Sequence, residues 1–206
     1  MDQTIRRPRP RIESLSDLIF GLALSIGAIS LISRIPATPF RMLIDIAEFG
    51  FSFLILISVW MGYTNIMSVL PLESGAVVNL NVVLLFLVSI EPYLFYLNVI
   101  FDLSDHAVLL NFASTLYALD MTGLMLILAL FTVELAHEER GLVPADLVGH
   151  YKRVRDSLFI SAALFSITIM PFFWSVKLQE LPLRFYFWLI PLVMSFVMRV
   201  SGRFQK

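Results

Sequence analysis

The sequence is poor in charged residues and contains no cysteine. Only 15% of its 206 residues are charged, 58% are hydrophobic, and the mean hydropathy is +0.84. A soluble domain is about one quarter charged, so this chain has too little polar surface to cover a soluble globule of its size. The absence of cysteine also excludes disulfides, zinc–thiolate sites and thiol catalysis. The composition predicts a membrane protein.

Several other classes of protein are disfavoured by what the sequence lacks. The three histidines, His106, His137 and His150, are too far apart to form a helical metal-binding pair. A net charge of −1 argues against a nucleic-acid partner. The sequence has no GxxxxGK, GxSxG or HExxH motif. We therefore expect neither an enzyme nor a metalloprotein, and no cofactor.

Six apolar stretches are candidates for membrane-spanning helices, each of which needs about 20 residues. They lie at 14–34, 42–70, 76–100, 107–136, 157–176 and 182–202. The third is interrupted by Glu91-Pro92, where we expect a break in the helix. The pattern predicts an all-α, polytopic membrane protein with six transmembrane helices in a single domain, residues 1–206.

The distribution of lysine and arginine predicts the orientation of these helices. With the N-terminus inside, the cytoplasmic segments are 1–13, 71–75, 137–156 and 203–206. Together with Arg199 they hold eleven of the fifteen basic residues. Because short cytoplasmic loops are enriched in lysine and arginine, we expect both termini in the cytoplasm.

The first helix carries an aliphatic stripe that is interrupted by small residues. At 100° per residue, Leu22, Ser25, Ile26 and Ile29 share one face of the helix. Glycine and alanine lie largely on its other faces, where they allow neighbouring helices to approach closely. This periodicity fits a helix buried in a bundle as well as a helix that lines a pore.

The polar entrance of this helix resembles the signature of a known family. Residues Arg11-Ile-Glu-Ser-Leu-Ser16-Asp17 are similar to the RxxxFSD motif of the transmembrane protein 175 family of potassium channels, with Leu15 in place of phenylalanine. The segment 115–128 is similar to the fourth helix of the family, with Asp120 in place of an asparagine. Read alone, Asp17 would be a helix-capping acid and Arg11 would reach lipid headgroups.

The resemblance implies a homotetrameric, potassium-permeable channel in the lipid bilayer, multi-pass in the plasma membrane of a bacterium or archaeon. It implies a central pore lined by the four first helices, with potassium as the permeant ion and no carbonyl-lined filter. The implied constriction is Leu22, Ile26 and Ile29, with Ser25 as a polar ring. Arg11, Ser16 and Asp17 would form a structural motif that ties the first helix to its neighbours.

Two acids within the predicted spans leave alternatives open. For Glu91 these are a hydrogen bond at a helix break or a place in an ion vestibule. For Asp120 they are an interhelical hydrogen bond or proton-linked gating, because a carboxyl group in the membrane must face protein or water. The alternative functions are a proton-coupled secondary transporter that uses Asp120 and Glu91, and a non-conducting scaffold whose working part is the 137–156 loop.

Overall fold

The protein is mostly helical, with one very short hairpin near its C-terminal end. The computed structural model describes residues 11–32, 35–70, 75–100, 106–136, 142–178 and 181–194. The elements in chain order are α1 Arg11–Ile32, α2 Pro39–Met67, α3 Gly75–Ile100, α4 Ala107–Ala136, α5 Ala145–Ile167, α6 Pro171–Ser175, β1 Lys177–Leu178, β2 Leu181–Pro182 and α7 Leu183–Phe187. The two strands are antiparallel, with Lys177 opposite Pro182 and Leu178 opposite Leu181.

Three helices in the described part of the chain are long and apolar enough to cross a membrane. They are α2, α4 and residues Gly75–Val99 of α3. Shorter apolar helical segments lie at Ser14–Ile29 and Leu183–Met194. Helices α1 to α4 begin and end within three residues of their predicted bounds. The strong hydropathy of these stretches therefore located the elements well.

The start of α2 has a clear local cause. The hydroxyl oxygen of Thr38 accepts a hydrogen bond of 3.1 Å from the backbone N–H of Arg41, and Pro39 occupies the first helical position. Proline at this position loses no helical hydrogen bond, because the first N–H groups of a helix have no partner within it. The Thr38–Pro39 pair thus sets where the chain enters the second long helix.

The predicted fifth helix, 157–176, is wrong at both ends. Helix α5 begins at Ala145 and ends at Ile167, and a turn separates it from α6, which begins at Pro171. Hydropathy marks only residues suited to lipid, so it missed the polar first half of α5. At the other end, proline disfavours helical geometry in the residue before it. The N–H groups of Thr168, Ile169 and Met170 bond to carbonyls three residues back, which closes a tight turn.

The predicted sixth helix, 182–202, is described only in its first part. Helix α7 covers Leu183–Phe187, a turn falls at Trp188, and helical geometry continues to Met194. Residues 195–202 lie outside the described part of the chain.

Helix α4 forms the centre of the bundle. It packs along α5 and α3, and α1 packs against α3 and α2. Gly123 allows α3 and α4 to approach closely, because a β-carbon there would lie 2.8 Å from the Leu87 side chain. The fully buried core side chains include Leu56 of α2, Leu84 and Val88 of α3, and Tyr117, Met121 and Leu124 of α4.

Candidate functional site

Helix α1 has one buried stripe and a broad exposed surface. Ser16, Phe20 and Ala23 are buried at spacings of four and three residues, which places them on one side of the helix. Another side carries the predicted constriction residues Leu22, Ile26 and Ile29, whose exposed fractions are 52%, 50% and 60% in the single chain. The described residues therefore cover the aliphatic face only in part, and its exposed part is available to lipid, water or another copy of the chain.

Ser25 interrupts the exposed face with a polar group. Its hydroxyl donates a hydrogen bond of 2.8 Å to the carbonyl oxygen of Gly21, one turn earlier in the same helix. A hydroxyl that donates in this way keeps its oxygen as an acceptor. The side chain is exposed beside Ile26 and presents this oxygen on the surface of α1.

Ser16 of the predicted structural motif is a buried hydrogen-bonded junction of three helices. Its hydroxyl oxygen accepts a hydrogen bond of 2.7 Å from the Tyr63 hydroxyl of α2. The amide nitrogen of Asn81, on α3, donates to the same oxygen at 3.5 Å. Each contact joins residues far apart in sequence, so together they bind the beginning of α1 to α2 and α3.

Asp17 makes a separate contact with α2. One of its carboxylate oxygens accepts a hydrogen bond of 3.1 Å from the indole N–H of Trp60, and Asp17 itself is exposed. The side chain of Arg11 lies outside the described residues. The pairing of Asp17 with an indole donor from α2 was not predicted from the sequence.

Glu91 is fully buried and hydrogen-bonded between helices. Its Oε1 accepts from the Ser52 hydroxyl of α2 at 3.0 Å and from the Tyr117 hydroxyl of α4 at 3.5 Å. The predicted break at Glu91-Pro92 is wrong, because α3 continues through Pro92 to Ile100. Proline is tolerated within membrane helices whose neighbours satisfy the backbone groups that it leaves unpaired.

Asp120 lies in the same buried region as Glu91, three residues after Tyr117 on α4. The residue is 4% exposed, and neither carboxyl oxygen has a hydrogen-bond partner among the described residues. The predicted interhelical hydrogen bond is therefore not found there. A charge on Asp120 would act on both Glu91 and Tyr117. The structure thus brings together two acids that the sequence showed only as scattered over separate helices.

Arg184 of α7 is a buried cation that sequence reasoning missed. Its guanidinium donates to the Thr168 carbonyl at 2.8 Å, the Ser114 hydroxyl at 2.5 Å and the Thr115 hydroxyl at 3.0 Å. It also lies 5.5 Å from the centre of the Trp174 ring. In the described part of the chain these partners are all neutral, and the contacts join the start of α4 to the turns after α5. The available signal was an arginine in the apolar run LPLRFYFW, near the start of the predicted sixth helix, 182–202.

A small cleft opens between α1, α2 and α3 near the start of α2. Its lining includes Gly27 of α1, Asp45 and Ser52 of α2, and Pro92 of α3. No group of three or more histidine, aspartate or glutamate side chains is placed to hold a metal ion within the described segments. Asp45 and Glu48 lie at this cleft, apart from the buried acids Glu91 and Asp120.

Comparison with known proteins gives one family match and several fold matches. Residues 11–92 match the family model described as endosomal/lysosomal potassium channel TMEM175. No curated protein sequence matches.

Two solved structures share the fold over nearly the whole chain. One is a lysosomal potassium-selective channel TMEM175 homolog from Chamaesiphon minutus, at 16% identity and a TM-score of 0.59, covering 93% of this chain and 96% of that one. The other is a variant of the potassium channel MtTMEM175 bound to a nanobody fusion protein. Its identity is 17% and its TM-score 0.63, with coverage of 98% and 99%.

These findings confirm the family resemblance that was based on the RxxxFSD-like motif. The matched region runs from Arg11 to Pro92 and so contains that motif, its partners Trp60 and Tyr63 on α2, and Asn81 on α3. The helical fold and the three long apolar helices agree with a polytopic protein. The chain is a multi-pass membrane protein, its residues 11–92 are similar to the TMEM175 family, and it shares its fold with two solved channels of that name.

Proposed function

We propose that this chain forms a potassium-permeable channel in which four copies surround a central pore lined by α1. The observation that carries the proposal is the division of α1 into two kinds of surface. Its buried stripe is fixed to α2 and α3 through Ser16, whereas Leu22, Ile26 and Ile29 are half exposed in the single chain. Four such helices around an axis would bury this face against itself.

The chemistry of the exposed face supports a hydrophobic gate. A narrow ring of leucine or isoleucine side chains holds water poorly, so it closes by dewetting and opens when the helices move apart or rotate. Potassium sheds its hydration more readily than sodium, which favours weak potassium selectivity in such a neck. The Ser25 oxygen would offer a polar contact to the ion or its water beside this constriction.

The motif at the start of α1 would act as a structural brace. Ser16 and Asp17 contact α2 and α3 rather than the exposed aliphatic face, and we assign the same role to Arg11. Opening of the pore would then pivot about a fixed cytoplasmic end of α1. This assigns the motif to positioning and not to ion coordination.

We infer six spans in one domain, residues 1–206, with both termini in the cytoplasm of a bacterial or archaeal cell. Helix α1 has 22 residues, and at about 1.5 Å per residue it is long enough for the ~30 Å hydrocarbon core. The eleven-to-four distribution of basic residues supports this orientation.

The buried acids favour one second candidate, a proton-coupled carrier that uses Glu91 and Asp120. A carrier would bind its substrate within one protomer and would saturate, whereas a channel needs several copies and does not saturate over the same range. Both candidates place the protein in the membrane, so composition does not separate them.

The decisive experiment measures potassium and sodium flux in liposomes together with the mass of the protein in detergent. We expect potassium flux that exceeds sodium flux, rises with the gradient without saturating, and comes from a particle of about four 23.4 kDa chains. A monomer with saturable, proton-dependent flux would instead establish the carrier. A tetramer without any flux would support the scaffold.

A further inference from the structure

A small polar cluster lies inside the protomer, away from the exposed face of α1. Its members are Ser52, Glu91, Tyr117 and Asp120, from α2, α3 and α4. The Ser52 and Tyr117 hydroxyls both donate to Glu91, at 3.0 and 3.5 Å. All four residues are buried, and the proposed pore uses none of them. The cluster therefore needs its own explanation.

Asp120 is the member of this cluster whose carboxyl group has no hydrogen-bond partner among the described residues. Both carboxyl oxygens are buried and lack a hydrogen-bond partner among the described residues, although a charge on Asp120 would act directly on Glu91. An unpaired carboxylate in a membrane interior is costly, and a second acid nearby increases the cost. The pair is stable only if a positive charge or a proton is bound there.

The arginines whose side chains are described are engaged elsewhere. Arg41, near the start of α2, lies 3.0 Å from Asp45 and 3.5 Å from Glu48. Arg184 on α7 is held by the neutral oxygens of α4 and of the turn after α5. On α1, the titratable side chain described is Asp17, which contacts Trp60. On α5, which packs along α4, Arg155 pairs with Asp156 at 2.7 Å and Arg153 donates to the Gly149 carbonyl. None of these groups contacts Glu91 or Asp120.

The geometry favours a proton over a metal cation. A potassium or sodium ion would need several oxygen lone pairs directed at it. The Ser52 and Tyr117 hydroxyls instead donate their hydrogens to Glu91 and already occupy Oε1. A proton needs no such set of oxygen ligands. It converts one carboxylate into a neutral carboxyl group, which can donate a hydrogen bond to a neighbouring carboxylate.

We propose that Glu91 and Asp120 form a buried proton-binding site that opens toward the cleft at the start of α2. Ser52 and Pro92 line this cleft together with Asp45 and Glu48, and Ser52 contacts Glu91. A proton from water in the cleft would pass to Glu91 through the Ser52 hydroxyl, which gives up its own hydrogen and receives another. The pair would then share one bound proton and one negative charge.

The site is placed to influence α1. Helices α2 and α3, which Ser52 and Glu91 connect, also hold Ser16 of α1 through Tyr63 and Asn81. Loss of the proton would leave two carboxylates that repel each other and would loosen α3 against its neighbours. The effect on conduction rests on the proposed channel function, but the binding of the proton does not.

Infrared spectroscopy of the reconstituted full chain tests the site without any measurement of conduction. At neutral pH we expect a carbonyl-stretch band of a buried, protonated carboxyl group that shifts in D2O and disappears on alkaline titration. Asp120→Asn and Glu91→Gln should each remove or shift it, whereas the exposed Asp156→Asn on α5 should not. Thermal unfolding in detergent verifies that each variant is folded. A band absent from the wild type, or unchanged in both variants, would overturn the proposal.

Two further measurements separate the remaining outcomes. Exchange of potassium for choline should leave the band unchanged, and a band that appears only without potassium would show a cation site instead. Potassium flux through the wild type should differ at least about fivefold between pH 6 and pH 9, because about fivefold is the lower end of typical allosteric coupling. Asp120→Asn should abolish this difference. If the band behaves as expected but flux is pH-independent, the proton site holds and its link to gating is refuted. If there is no flux at all, the channel function fails while the site stands.

Discussion

The Tyr63 hydroxyl donates a hydrogen bond of 2.7 Å to the Ser16 hydroxyl across 47 residues of sequence. Both side chains are buried, and the Asn81 amide reaches the same oxygen from α3. A buried hydroxyl without a partner costs about 1–3 kcal/mol. This contact therefore fixes the position and rotation of the base of α1, and with them the direction in which its aliphatic face points.

We predict that Ser16→Ala and Tyr63→Phe each lower stability by about 1–2 kcal/mol, because each removes a buried hydrogen bond. The double variant should cost less than the sum, with a coupling of roughly 0.5–1.5 kcal/mol. Reversible unfolding of the wild type, the two single variants and the double variant in mixed micelles would measure this coupling energy. Ser175→Ala is the matched control, since that exposed hydroxyl bonds only within its own helix. Strict additivity would contradict the proposed junction.

The Asp17–Trp60 contact leads to a second prediction. Asp17→Ala should impair tetramer assembly or abolish flux, because it removes the acceptor that holds the start of α1 to α2. Trp60→Phe should weaken function in the same direction, since it keeps an aromatic ring but loses the indole N–H. Size-exclusion mass measurements and liposome flux would test both. A fully active Asp17→Ala tetramer would contradict the proposed structural role of Asp17.

The sequence predicted α1 well because spacing alone decides which residues of a helix share a face. Leu22, Ile26 and Ile29, which the sequence assigned to one face, are all half exposed in the structure, and Ser16, Phe20 and Ala23 are buried on another side. The period does not identify what covers the exposed face. That assignment came from the family motif and stays a prediction.

The buried polar contacts were not predictable from one sequence, because their partners are distant along the chain. Glu91 meets Ser52 and Tyr117 from two other helices, and Arg184 meets Ser114 seventy residues away. Hydropathy treats such residues as interruptions of an apolar run. Glu91 reaches its partners because α3 stays helical through Pro92 and packs against α2 and α4. Arg184 reaches its partners because of the turn that follows α5.

Arg184 gives a third prediction, about stability. Arg184→Met should lower the unfolding free energy by at least about 2 kcal/mol, because it removes charge-assisted bonds to buried oxygens of α4 and of the turn after α5. Arg184→Lys should not restore it, since an ammonium cannot reproduce the planar fork of a guanidinium. The melting temperature in detergent would measure both. Arg153→Met, on the exposed side of α5, is the control and should change it little.

The absence of native cysteine makes a fourth prediction simple to test. If α1 lines a four-fold axis, a single cysteine introduced by Ile26→Cys should form disulfide-linked dimers under mild oxidation, because like residues face each other across a narrow axis. Ile160→Cys, on α5, should stay monomeric on a non-reducing gel. Equal cross-linking at the two positions would contradict the assignment of α1 to the axis.

The last prediction concerns the gate itself. Ile26→Asn should hydrate the aliphatic neck and raise potassium flux in liposomes at least about tenfold, because loss of a dewetting barrier of ~1.4 kcal/mol is enough for that change. Selectivity over sodium should fall with it. Ile160→Asn is a matched control, since Ile160 is 51% exposed and Ile26 50%, but it lies on α5. If Ile26→Asn leaves both conductance and selectivity at wild-type values, Ile26 does not line the pore, and the aliphatic face of α1 faces lipid instead.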